Sequence, residues 1–105
     1  MIIGNVKFKE WLCTVDVQFY GNGRYAICLD DKETGEPLAV ASVNMPKAIL
    51  KADEVCIKNY SENEGIVKCL VDNGFIEETG NTFDNGYIVV PICRLTKESL
   101  TMLNK

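Results

Sequence analysis

The segment EWLCTVDVQFY, residues 10–20, sets Trp11, Cys13, Val15, Val17 and Phe19 in strict alternation with Leu12, Thr14, Asp16, Gln18 and Tyr20. A two-residue period puts one set of side chains on each face of a strand, so this run demands a sheet with an apolar face to bury. Gly21-Asn22-Gly23 follows, residues that tolerate positive φ, and then RYAICLDD as a second strand, which predicts a hairpin. KETGEP is a further polar turn leading into a third strand, PLAVASVNM, with Pro37 and Pro46 at its ends. VKFK near the start adds another strand. Residues 1–45 therefore read as an antiparallel meander.

Beyond Pro46 the period changes. KAILKAD reads as a loop or a turn of helix, followed by a short strand over 54–59. Ile66, Val67, Leu70 and Val71 then fall within about 140° on a helical wheel, which predicts a main helix over 61–73. Asn73-Gly74 supplies its C-terminal stop, with Phe75 placed to touch Leu70 in a Schellman closure. Residues 76–79 and 87–95 read as a second hairpin turning at Asp84-Asn85-Gly86, and Pro91 predicts an edge or a bulge there. The tail TKESLTMLNK forms a short helix capped by Thr96 and stapled by Leu95 and Leu100. The predicted class is α+β: one 105-residue domain with an antiparallel sheet and one main helix packed on it.

Composition narrows the chemistry. The chain has no histidine, which removes His-based acid/base work, Ser–His and Cys–His pairs and the commonest zinc ligand. Its five cysteines, Cys13, Cys28, Cys56, Cys69 and Cys93, are odd in number and form no C-x-x-C pair. Each lies in an apolar segment, so they read as reduced core thiols rather than a disulfide framework. The expectation is no catalytic residue, no metal and no cofactor. A net charge of −4, with lysine and arginine scattered, opposes direct binding of nucleic acid. The N-terminus lacks the basic and apolar regions of a signal peptide, and no apolar run reaches about 20 residues, so a cytoplasmic protein is expected.

The most chemical stretch is NYSENEG, residues 59–65. Ser61 and Glu64 have the spacing of a capping box, with Glu62 and Glu64 at the positive end of the helix dipole. Two glutamates two apart on a helix diverge by about 200°, so they hold no ion together. Asn63 and Gly65 are left over. Gly65 costs roughly 1 kcal/mol relative to alanine inside a helix, which points to close approach of a strand or of a partner. Acidic residues also crowd the turn with Asp30, Asp31, Glu33 and Glu36, and Asp72, Glu77, Glu78 and Asp84 follow the helix. Such charge reads either as solvated surface or as a face for a basic protein surface. The candidate partner-binding residues are Tyr60, Glu62 and Asn63 with Asp30, Asp31 and Glu33.

The succession EVCIKNYSENEG, LVDNGFIEETG and GYIVVPICRL resembles a family of small uncharacterised proteins carried by phages and conjugative elements of gut Firmicutes and Bacteroidetes. The resemblance covers roughly residues 38–95, with SENEG and the Gly-aromatic-x-x-x-Pro-x-Cys strand its most distinctive parts. It implies a mobile-element setting with no assigned activity, where accessory proteins often bind a host or defence protein. The expected function is thus a small acidic binding protein with a protein partner, such as a nucleic-acid-handling or defence enzyme. Two alternatives stand beside it. One is a DNA-binding regulator of winged-helix type, which needs three helices. The other is a small enzyme or ligand carrier using Cys13, Cys28 or Cys69 with Trp11, Phe19 and Tyr25, residues that core packing explains more simply. A homodimer formed by strand pairing across a two-fold axis is also open.

Overall fold

In a computed structural model the chain forms two antiparallel sheets and two short helices; residues 1–104 are described. The first sheet has the order β1-β2-β3-β4, from Ile2–Phe8, Trp11–Phe19, Tyr25–Asp31 and Pro37–Val40. The second has the order β5-β7-β6, from Glu54–Cys56, Val89–Leu95 and Ile76–Asp84. Helix α1 is Ile66–Asp72 and α2 is Lys97–Leu103. The α+β class holds, with two sheets where the period analysis expects one.

The middle of the alternation becomes the inner face of the first sheet, where Cys13, Val15 and Val17 are buried beside Ile27 and Leu29, while Trp11 and Phe19 at its two ends are exposed. The chain changes sheets at Ser42. Ala41 donates to the Ile27 carbonyl on one side, while Lys58 donates to the Ala41 carbonyl on the other. The Ser42 hydroxyl accepts from the Ile27 N–H at 2.9 Å and lies 2.9 Å from the Tyr20 hydroxyl. The expected long third strand is therefore cut to Pro37–Val40 and a single bridge from Ser42 to Ile57. Helix α1 packs against both β1 and β6, and α2 against β1, so the helices close the space between the sheets. Among the described residues two α-helices stand where a winged helix needs three.

In the second sheet β5 and most of β7 pack on both faces, while β6 is largely exposed. Val55, Cys93 and Leu95 join the main core, while Cys56, Val90 and Ile92 form a small second cluster with Ala48, Met45 and Leu50 of the loop 43–53. Pro91 departs from expectation, because it lies in the central strand of this sheet rather than at an edge. The Ile57 N–H reaches the Pro91 carbonyl at 3.0 Å, just past the end of β5. Proline has no N–H to return that bond, and the ladder stops there. The second hairpin is also longer than expected, because β6 carries its ladder past a bulge at Thr79-Gly80, with Gly80 at φ +83°.

The main helix is shorter than the predicted 61–73, and it has no capping box. Ser61–Asn63 is a 3-10 turn, Ser61 takes φ +54°, and its side chain caps nothing. Gly65 precedes the helix at φ +90° with open space where a Cβ would sit, so its conformation, not a close neighbour, requires glycine. The cap comes from Asn59, whose Oδ1 accepts from the Val67 N–H at 3.0 Å across eight residues. Asn59→Ala should therefore cost about 1 kcal/mol in urea unfolding, and Ser61→Ala less than about 0.5. The reverse order would restore the capping box.

The closing signals behave as local chemistry dictates. Phe75 N–H donates to the Leu70 carbonyl and Gly74 N–H to the Val71 carbonyl, which completes the Schellman pair with Gly74 at φ +80°. Thr96 Oγ1 accepts from the Ser99 N–H at 3.1 Å, capping α2, and Leu95 and Leu100 share the main core.

Candidate functional site

The residues singled out in the sequence separate into two groups. Asn63 is only 1% exposed, and its Nδ2 donates to the Val40 carbonyl of β4 at 2.7 Å. It is a buried support for that edge strand and is unavailable to a partner. Tyr60 is half-buried, packs on the second cluster and carries the Lys58 amine 5.4 Å over its ring. Glu62 is exposed and paired with Lys58, whose hydrogen bond holds its carboxyl below the usual range. The NYSENEG segment is thus mainly a structural crossing.

The second group meets at one end of the first sheet. The β2–β3 register sets Cys13 opposite Asp31, so the β1–β2 turn and the β3–β4 turn lie side by side. The Lys32 N–H donates to the Leu12 carbonyl at 3.0 Å and joins them. Asp31 Oδ1 accepts from the N–H groups of Glu33 and Thr34 at 2.8 and 3.1 Å, an Asx turn that fixes the loop. Between the turns lies a groove of about 470 Å³ lined by Glu10, Trp11, Leu12, Asp31, Lys32 and Glu33. The Glu62 segment is tied to this end by Lys9, whose Nζ donates to the Glu62 carbonyl at 2.7 Å.

Trp11 is the member that sequence reasoning misplaces. It has the parity of the buried stripe, yet it sits at the first position of β2, beyond the end of the core, and is 44% exposed. Glu10 belongs to no motif in the sequence. Its signal is the tightness of the two-residue connection between β1 and β2, which holds the flanking residues at the strand end. Asp31 gives the groove shape, and Glu10 and Glu33 give it charge.

The outer face of the same sheet continues this surface. Cross-strand rows place Asn5, Thr14, Asp30 and Pro37 together, and Ile2, Asp16, Cys28 and Val40 beside them. Ile2, Leu12 and Val40 are exposed there. The N-terminal amine bonds Asp16 at 2.8 Å and holds its carboxyl below the usual range. Burial, with the Asp16 charge second, pushes Asp30 up. Ionised Asp30 therefore penalises the native state at neutral pH, and the penalty vanishes below the unfolded pKa near ~3.9. Asp30→Asn should raise Tm at pH 7 on the order of 1–2 °C and leave it unchanged at pH 3 in thermal melts.

Cys13, Cys56 and Cys93 are buried, and burial raises the pKa of all five thiols, that of Cys93 to about 12. Thiols held protonated in this way are poor nucleophiles. Among the described residues no three Cys, Asp or Glu side chains are placed to hold a metal ion, and no helix is long and apolar enough to cross a membrane. Comparison with protein-family models, curated proteins and solved structures finds no match for the chain.

Proposed function

We propose that this is a small acidic binding protein that acts stoichiometrically, presenting the Trp11 groove to a basic side chain on a protein partner. The observation that carries the reading is an exposed indole with three carboxylates, Glu10, Asp31 and Glu33, against the single cation Lys32 in the groove lining. An indole face attracts a guanidinium or ammonium, carboxylates pair with it, and tryptophan and arginine are the residues that most often anchor interfaces. Asp30 and the outer sheet face extend the contact. The same carboxylates repel phosphate, which favours a protein partner over nucleic acid. The family resemblance supplies the setting: an accessory protein of a mobile element, with a host or defence enzyme that handles nucleic acid as its target. A basic surface on such an enzyme has the complementary charge.

Tagged capture from bacterial lysate, read by mass spectrometry, tests this. The wild type should retain one basic-surfaced protein near equal stoichiometry, and Trp11→Ala and Glu10→Lys/Glu33→Lys should both lose it. An identical catch by all three forms, or tight salt-sensitive binding to DNA in a gel shift, would overturn the reading.

A further inference from the structure

A second surface lies around the loop 43–53 and the β6–β7 turn, built from different residues. Ile49 is 96% exposed and Tyr87 98%, although neither belongs to a floppy chain end. Their neighbours Ala48, Leu50 and Ile88 all pack into the small second cluster, so both large side chains project from the rim of one core. Between the two segments runs a groove of about 540 Å³, lined by Met45, Pro46, Lys47, Phe83, Asp84 and Asn85. Both walls are held in place. Arg24 donates to the carbonyls of Met45 and Ala48, and Asn85 Oδ1 accepts from the N–H groups of Tyr87 and Ile88 at 2.9 Å. The groove therefore exists before anything binds.

We infer that this end is an isologous dimer interface, in which Tyr87 of each copy enters the groove of a second copy. The occupant follows from the juxtaposition of knob and hole: Tyr87 stands on the turn that forms one wall, so a two-fold axis can satisfy both insertions at once. Charge agrees with it. Lys47 and Asp84 face the groove from opposite walls, and among the described residues neither has an ion-pair partner. The two-fold brings Lys47 of one copy to Asp84 of the other. An inserted tyrosine removes about 150–250 Å² of its own surface. Two insertions with their groove walls fall under about 1,200 Å², the small end of specific interfaces. The dimer is consequently of the weak, exchanging kind, with dissociation expected somewhere in the micromolar to millimolar range.

Sedimentation equilibrium on the full chain from about 5 μM to about 1 mM covers that range. The wild type should pass from monomer to twice its mass and stop there. Tyr87→Ser and Ile49→Ser remove side chains that contribute almost nothing to the fold, and Tyr87→Ser should weaken association at least about tenfold. Lys47→Glu, now facing Asp84 of the second copy, should also weaken it, and its thermal melt should match the wild type. A monomer at every concentration, growth beyond two copies, or unchanged association in Tyr87→Ser would each overturn the inference.

Discussion

Gly4→Val should cost about 2–3 kcal/mol and lower Tm on the order of 10–20 °C. A Cβ at Gly4 would lie 2.6 and 2.7 Å from Cζ and Cε1 of Phe75. Such a contact is far inside van der Waals distance, so one of the two must move. The backbone of Phe75 cannot give way. Its N–H closes the Schellman pair of α1, and its carbonyl accepts from the Thr96 N–H and from Ser99 Oγ at the start of α2. The backbone of Phe75 is thus fixed by both helices, and the strain falls on its ring, which must swing to another rotamer against the main core. Gly4 also borders the register slip between β1 and β2. Two companions make the cause visible in urea unfolding. Gly21→Val, where an added Cβ meets nothing within 4 Å, should be far milder. Shrinking the ring with Phe75→Leu should restore part of the loss in Gly4→Ala, so that the double variant is less destabilised than the sum of the two singles, where independent sites would simply add.

Leu70→Ala should cost about 3 kcal/mol or more, within the range for a fully buried leucine. Leu70 is 0% exposed, and with Ile66 and Val67 it is the whole buried face of α1. A seven-residue helix has no stability of its own in water, so this face is what holds α1 in place. The helix touches β1 and β6, one edge strand of each sheet, and the loss should loosen both together. Amide exchange in β1 and β6 should accelerate in parallel. Lys68→Ala on the opposite face removes only an exposed pair with Asp72, and should leave the melt unchanged.

The features legible in the sequence were those with short-range causes. The Schellman stop at Gly74, the Thr96 cap and the turns at Gly23 and Gly86 each depend on residues a few positions apart, and each forms as its chemistry requires. NYSENEG misled because two local codes competed. Ser61-x-x-Glu64 fits a capping box, but Asn59 reaches the helix from further back, and Gly65 at φ +90° turns the chain into α1. Nothing local distinguishes these outcomes. The central place of Pro91, the sheet change at Ser42 and the burial of Asn63 beneath β4 all depend on which strands become neighbours. Of the candidate site, Asp31 and Glu33 were legible as an acidic turn. Trp11 was not, because alternation reports the face of a strand and is silent on where the core ends.

Trp11 is the chain's single tryptophan, so its fluorescence reads the proposed site without a label. Titrating the full chain with a short arginine-containing peptide at low salt is the most direct test of the groove. A saturable shift in Trp11 emission is expected, diminished by added salt and lost in Glu10→Lys/Glu33→Lys, while a peptide with glutamate in place of arginine leaves the spectrum unchanged. Emission that ignores the arginine peptide, or responds equally to both peptides, would contradict the account.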